Sequence, residues 1–143
     1  MFLGEYAHSC DSKNRLRLPS KLKKEFGGGI VLTKGSDGCV FIVPKDRLDK
    51  VFEKASELPM FDGAVQKPLR LLFSSACELE EDGQGRFLLP QSLKDFAGIE
   101  KDVVFVGAGT RVELWAKERW EEYSLKNLQD FDTLSQELGR YGV

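Results

Sequence analysis

One short pattern occurs twice in the chain, and this internal repeat constrains the fold more than any other feature. Asp11–Leu22 reads DSKNRLRLPSKL, and Asp82–Leu93 reads DGQGRFLLPQSL. Shifted by 71 positions, the copies share Asp11/Asp82, Arg15/Arg86, Leu18/Leu89, Pro19/Pro90, Leu22/Leu93 and Lys23/Lys94. Shifted by 72 positions, the match continues with Gly35/Gly107, Val40/Val112, Lys45/Lys117 and Arg47/Arg119. Two copies are too few for a solenoid. We therefore predict two copies of one small unit, packed against each other as a pseudo-dimer within the chain.

The 143-residue chain leaves little room for two independent cores. Each copy covers about 45 residues, and units of that size rarely bury enough apolar surface to fold alone. We expect the repeats to share one core. The predicted division is a first repeat at 5–47, linker helices at 48–75, a second repeat at 76–119, and a C-terminal helix and tail at 120–143.

Hydrophobic periodicity and turn residues predict an α+β protein that is mainly β. In the first repeat we expect a hairpin over 2–18 that turns at Asp11–Asn14, a helix over 19–26, strands at 30–33 and 39–43, and a helix at 45–57. Prolines bound a predicted linker at 59–68, with a short helix at 69–73. For the second repeat we expect strands at 74–81 and 86–89, a helix at 90–97, strands at 103–106 and 111–115, and one helix from 116 into the 130s.

Most residue patterns that carry enzymatic chemistry are missing from the sequence. The single histidine, His8, lies on a predicted strand without a nucleophile placed beside it. Cys10, Cys39 and Cys77 form no CxxC pair, so we expect reduced thiols, no metal site and no cofactor. No signal peptide and no long apolar run are recognisable. We predict a cytoplasmic protein without catalytic activity, small-molecule substrate or membrane partner.

Charge is unevenly distributed along the chain, although its net value is only −2. Residues 11–24 contain six lysines and arginines against one aspartate, whereas the matching residues 82–95 contain two cations and two aspartates. An acidic total argues against a general coat for nucleic acid. A local basic patch still favours a positioned nucleic-acid site.

The doubled Asp-x-x-x-Arg pattern has two possible roles. In the structural role, Asp11 and Asp82 fix the turns, and each arginine pairs with an aspartate of its own or the neighbouring copy. In the functional role, Arg15 and Arg86 lie on an exposed rim, where a guanidinium grips phosphate or reads guanine. The further donors of such a rim are Lys13, Asn14, Arg17 and Lys21 around Arg15, and Gln84 beside Arg86. Spacing alone leaves both roles open.

Three segments resemble the MraZ family of bacterial transcriptional regulators. They are MFLGEYAHSCDSKNRLRLPSKLK at the start, RLLFSSACELEEDGQGRFLLP at Arg70–Pro90 and VFVGAGTRVELW at Val104–Trp115. The resemblance implies two SpoVT-AbrB-like swapped-hairpin units that form a β-barrel fringed by helices. It also implies a nucleoid-associated, ring-shaped homo-oligomer. Such a ring would bind direct repeats of double-stranded DNA in the promoter of the division and cell wall gene cluster, which includes its own gene.

The family motif falls on Asp11 with Arg15 and on Asp82 with Arg86. Because the second segment is neutral, we expect Arg86 to act largely alone and to contribute less to DNA binding than Arg15. Two alternatives to a regulator remain. One is an AbrB-like antitoxin, and the other is a structural oligomeric barrel in which the Asp/Arg motifs serve assembly only.

Overall fold

A computed structural model describes residues 1–143 as an α+β fold built mainly on antiparallel sheet, as the sequence predicts. The strands are β1 Phe2–Ser9, β2 Arg15–Arg17, β3 Ile30–Lys34, β4 Val40–Pro44, β5 Cys77–Glu78, β6 Arg86–Leu88, β7 Asp102–Gly109 and β8 Val112–Ala116. The helices are α1 Ser20–Lys23, α2 Lys45–Ala55, α3 Gly63–Ser75, α4 Gln91–Phe96, α5 Lys117–Leu128 and α6 Phe131–Gly139. None of these helices combines the length and the apolarity needed to span a membrane.

The strands of the two repeats pair with each other. β1 of the first repeat lies along β7 of the second, and β5 of the second lies along β3 of the first. β4 and β8 join the repeats at the centre of a six-stranded sheet, whose order is β1-β7-β8-β4-β3-β5. β2 and β6 form a separate two-stranded ribbon, again with one strand from each repeat.

The strands predicted at 30–33 and 39–43 and at 103–106 and 111–115 pair with each other as expected, whereas the hairpin predicted over 2–18 is wrong. β3 pairs with β4, and β7 pairs with β8, across short turns. In the predicted hairpin over 2–18 only the turn forms, where the backbone N–H of Asp11 donates to the carbonyl of Arg15 at 3.0 Å. β1 and β2 then separate, because each finds its ladder partner in the other repeat. The matching strands β5 and β6 separate in the same way.

The predicted closed β-barrel is also wrong, since the six-stranded sheet is open with β1 and β5 at its edges. The two edge strands differ greatly in length, with eight residues in β1 and two in β5. A two-residue edge strand cannot provide the ladder that would join it to an eight-residue strand. The sheet therefore ends at β5, and β2 and β6 form their own ribbon, which keeps one isolated bridge from Phe87 to Glu81.

Helix α3 occupies most of the predicted linker and shortens the strand predicted at 74–81. The helix starts at an aspartate cap, where the side chain of Asp62 accepts from the backbone N–H of Ala64 at 3.0 Å. This cap nucleates the helix upstream of Pro68, whose ring removes one helical hydrogen bond without ending the helix. Residues through Ser75 are thereby helical and unavailable to β5.

The single helix predicted from 116 into the 130s is two helices, α5 and α6. The break falls at Gln129–Asp130, where Asp130 has φ −111° and ψ 20°. One turn earlier, the Asn127 side chain donates to the carbonyl of Tyr123 at 2.8 Å. An asparagine side chain that bonds a backbone carbonyl competes with the helical hydrogen bonds, and this weakens the end of α5.

One apolar core serves both repeats, as predicted. Its main cluster contains residues from equivalent positions of the two copies, each at most 4% exposed: Leu16, Leu18 and Leu22 of the first, and Phe87, Leu89 and Leu93 of the second. A second cluster unites Cys39 of the first repeat with Val104, Val106 and Trp115 of the second. Each repeat thus supplies side chains that the other needs for burial.

The contact between β1 and β7 depends on Gly107, which lies opposite Gly4 in the register. A Cβ at Gly107 would lie far inside van der Waals distance of the backbone of Leu3. We predict that Gly107→Ala lowers the free energy of unfolding by about 1–3 kcal/mol, because β1 must move away from its partner strand. Chemical denaturation measures this loss. Gly63→Ala is the control, since the added methyl meets no atom within 4 Å. Equal stability of both variants would contradict the close packing of β1.

Candidate nucleic-acid interface

The turn before β2 is organised by one carboxylate. Oδ1 of Asp11 accepts from the backbone N–H groups of Lys13 and Arg15, both at 2.9 Å. Oδ2 accepts from Nε of the Arg15 side chain at 2.8 Å. The aspartate therefore fixes the backbone of the turn and the direction of the arginine at the same time.

The turn before β6 repeats this arrangement. Oδ1 of Asp82 accepts from the backbone N–H groups of Gln84 at 2.9 Å and Arg86 at 3.0 Å. Oδ2 accepts from Nε of Arg86 at 3.1 Å. The residue before each arginine has a positive φ, 59° at Asn14 and 75° at Gly85. Asparagine and glycine are the residues that adopt this conformation most readily.

The two turns come together through the β2–β6 ribbon. Arg15 stands opposite Leu88, Leu16 opposite Phe87, and Arg17 opposite Arg86. Side chains alternate between the two faces of a strand. Leu16 and Phe87 are buried on the inner face, so the outer face carries the following four residues, which we call the arginine face: Arg15, Arg17, Arg86 and Leu88.

Ionic contacts on the arginine face cross between the repeats. Nη1 of Arg86 lies 3.7 Å from Oδ2 of Asp11, the same oxygen that Nε of Arg15 contacts. The side chains of Arg15 and Arg86 remain 28% and 25% exposed. Arg17 is exposed and forms no ion pair within the chain. Three guanidinium groups therefore lie on one face, with two of them held through Nε.

Backbone donors keep both aspartates ionised. The pKa of Asp11 lies below its ordinary value, first because the backbone N–H of Arg15 donates to it and then because the Arg15 side chain and Lys13 backbone do so. The pKa of Asp82 is lowered in the same way, first by the backbone N–H of Arg86 and then by that of Gln84. Hydrogen bonds to a charged carboxylate favour that form.

The other residues predicted for the site occupy different environments. Lys13 and Gln84 are exposed at equivalent positions of the two turns, and Lys21 is exposed on α1. The side chain of Asn14 is already engaged, because it donates to Gln91 at 3.1 Å and accepts from Lys94 at 2.7 Å. Asn14 thus links the first turn to α4 of the second repeat.

Arg86 has a cationic neighbour that the charge of its own segment does not indicate. Its own segment is neutral, but Arg17 of the first repeat stands directly across the ribbon. The second repeat therefore shares the positive charge of the first. Nζ of Lys23 and Oε2 of Glu81 form a further cross-repeat ion pair at 2.8 Å. Nothing in the sequence indicates this pair, because no pattern predicts that α1 lies beside the second turn.

The chain's lone histidine packs against an aromatic ring of the sheet. His8 lies edge-on to the ring of Phe105, and burial lowers the pKa of its imidazole. No three histidine, cysteine, aspartate or glutamate side chains come together as a group able to hold a metal ion. The arginine face is the candidate that the geometry supports best.

The lowered pKa values predict a specific dependence of stability on pH. A carboxyl whose pKa falls on folding stabilises the protein above its unfolded pKa of about 3.9, and this contribution is lost as pH falls through the folded pKa. We expect the double variant Asp11→Asn/Asp82→Asn to have a lower urea midpoint of unfolding than wild type at pH 7. Below pH 4, its urea midpoint should fall by less than that of wild type. Asp130→Asn is the control, because the Asp130 side chain forms no cap hydrogen bond. Parallel pH profiles for wild type and the double variant would contradict this role.

Comparison with known proteins identifies close relatives along the full chain. The sequence model of one family, described as "MraZ protein, putative antitoxin-like", matches residues 1–71 and again residues 72–139. A protein of Clostridium beijerinckii named "Transcriptional regulator MraZ" is 45% identical over 143 residues, covering 100% of both chains. Proteins of the same name from Clostridium tetani and Syntrophomonas wolfei subsp. wolfei are each 41% identical, again over 100% of both chains. The chain therefore belongs to the MraZ family.

Proposed function

We propose that the chain is a sequence-specific DNA-binding regulator of transcription, and that the arginine face is its DNA contact. The observation that carries this proposal is the alignment of three guanidinium groups on the outer face of a two-stranded ribbon. Relatives that share its whole length are named transcriptional regulators. A two-stranded β-ribbon fits into the major groove of B-DNA, where base edges are distinguishable.

The aspartates would prepare the arginines for this contact. Each carboxylate binds its arginine through Nε, which is the side nitrogen of the guanidinium. The terminal nitrogens of Arg15 form no hydrogen bond within the chain, and those of Arg86 have only the longer contact to Asp11. A guanidinium held through Nε loses little conformational freedom when its terminal nitrogens donate two hydrogen bonds to guanine or phosphate. Lys13, Lys21 and Gln84 would then contact the flanking backbone.

Assembly would supply the affinity that one small face lacks. We infer a ring-shaped homo-oligomer in which each subunit presents one arginine face to one of several direct DNA repeats. Linked contacts raise the overall affinity when the spacing of the DNA repeats matches the spacing of the subunits. The direct repeats would lie in the promoter of the division and cell wall gene cluster that includes the protein's own gene, as in the family it resembles.

We also propose that the two repeats are an internal pseudo-dimer of swapped-hairpin units. The reciprocal pairing of β1 with β7 and of β5 with β3 supports this relation. The Asp11–Arg86 contact supports, in addition, a structural role for the motif, because it joins the two turns. In that second reading the Asp/Arg groups serve folding or assembly only.

Substitutions on the arginine face separate these readings. We predict that Arg15→Ala and Arg86→Ala each weaken binding to DNA carrying the upstream direct repeats by about 10- to 100-fold per site, the loss of one bidentate contact. Arg15→Lys should keep the salt dependence but lose discrimination between bases, because an ammonium lacks the planar fork. Lys54→Ala, which removes an exposed cation far along the chain on α2, should bind like wild type. Titration at several salt concentrations measures both effects.

Mass measurement of the same variants completes the test. We expect Arg15→Ala to keep the oligomeric mass and the circular dichroism spectrum of wild type. Wild-type affinity in Arg15→Ala and Arg86→Ala would refute the DNA contact. A variant that loses both its assembly and its DNA binding would support the structural reading instead.

A further inference from the structure

The C-terminal helix α6 presents an apolar face that nothing in the chain covers. Phe131, Leu134 and Leu138 follow a spacing of three and four residues, which places them on one side of a helix. They are 62%, 47% and 50% exposed, and α6 has no buried residue. Within the chain, α6 packs against the preceding helix α5.

A second uncovered apolar surface lies between α2 and α3. It is a groove of about 370 Å³, which we call the α2–α3 groove, and its apolar lining consists of Phe52, Ala55, Leu58, Met60, Leu69 and Phe73. The rings of Phe52 and Phe73 meet edge to face with centroids 6.0 Å apart and form its wall. Phe52 remains 59% exposed and Met60 75% exposed. Exposed apolar surface of this kind marks an interaction site.

The charged residues beside the two surfaces are complementary at one position. Helix α6, FDTLSQELG, contains Asp132 and Glu137, and Nη1 of Arg140 directly after it lies 3.4 Å from Oε2 of Glu137. Helix α3, GAVQKPLRLLFSS, contains Lys67 and Arg70 and no acidic residue, whereas α2 carries charges of both signs. Arg70 lines the groove itself, and no acidic side chain does. Complementary charge between Arg70 and the acidic side chains of α6 favours contact between α6 and the groove.

We propose that the apolar face of α6 from one copy docks in the α2–α3 groove of the next copy. This inference rests on the proposed assembly and names the surfaces that form it. The contact is heterologous, because the two partners use different surfaces. Each added copy therefore leaves one free α6 and one free groove, and association ends where the rotation between neighbouring copies brings the last copy against the first. In this way one repeated contact produces a closed ring.

Mixing two variants tests this contact directly. Leu134→Glu places a charge on the docking face of α6, and Phe52→Glu places one in the groove, both at exposed positions outside the core. Each variant alone should have the mass of one chain in light scattering. Mixed in equal amounts, they should form a heterodimer and nothing larger. The intact groove of the first variant accepts the intact α6 of the second, and the two remaining surfaces are both disabled.

Two controls make the result specific. Gln136→Glu adds the same charge on the opposite side of α6 and should assemble like wild type. In a charge exchange, Glu137→Lys should weaken assembly at low salt, and Glu137→Lys combined with Arg70→Glu should restore it. Circular dichroism should show the wild-type spectrum for all variants.

The possible failures can be told apart. A wild-type protein with the mass of one chain would overturn the proposed assembly and this contact with it. If wild type assembles and Leu134→Glu assembles equally well, the contact between α6 and the groove is overturned while the assembly stands. The contact is likewise overturned if the mixture of Leu134→Glu and Phe52→Glu stays monomeric or forms particles larger than two chains.

Discussion

The structure depends on how one aspartate at each turn binds the arginine four residues later. At the first turn, Asp11 receives three hydrogen bonds from Lys13 and Arg15, and two of these come from the backbone. This closes the turn without a long hairpin, so β2 is free to leave β1 and pair with β6 of the other repeat. The same bonds that direct the chain also orient the guanidinium. Chain path and surface chemistry therefore come from one interaction.

The repeat made much of the local structure predictable from sequence. The two turns, the strands of β3–β4 and β7–β8, and the common core were all expected, the core from matching residues such as Leu18 and Leu89. The residues of the candidate site were also identifiable, because Asp-x-x-x-Arg recurs at the same place in both copies. Periodicity identified the type of most elements, but not that of α3, which begins inside the predicted linker.

Partner choice between strands was not predictable. β1 and β2 are adjacent in sequence, and a hairpin satisfies the same apolar alternation as pairing with the other repeat. Only the three-dimensional arrangement shows that Arg17 stands beside Arg86. The net charge of the second segment alone does not indicate this neighbouring cation. The predicted barrel does not close, because the sheet ends at β5, a strand of only two residues that follows α3. The prolines at both ends of 59–68 predicted a linker, but the Asp62 cap starts helix α3 inside this segment.

The pairing of β1 with β7 has a consequence for biosynthesis. Phe2 leaves the ribosome 107 residues before its ladder partner, Gly109. At about 5–20 residues per second, the partner strand follows roughly 5–20 s later. During this interval the first repeat lacks the strand that covers β1 and the leucines and phenylalanine that complete the core. The nascent chain therefore cannot fold repeat by repeat. It holds an unpaired strand edge until β7 has been synthesised, which exposes it to chaperones and to pairing with other nascent chains.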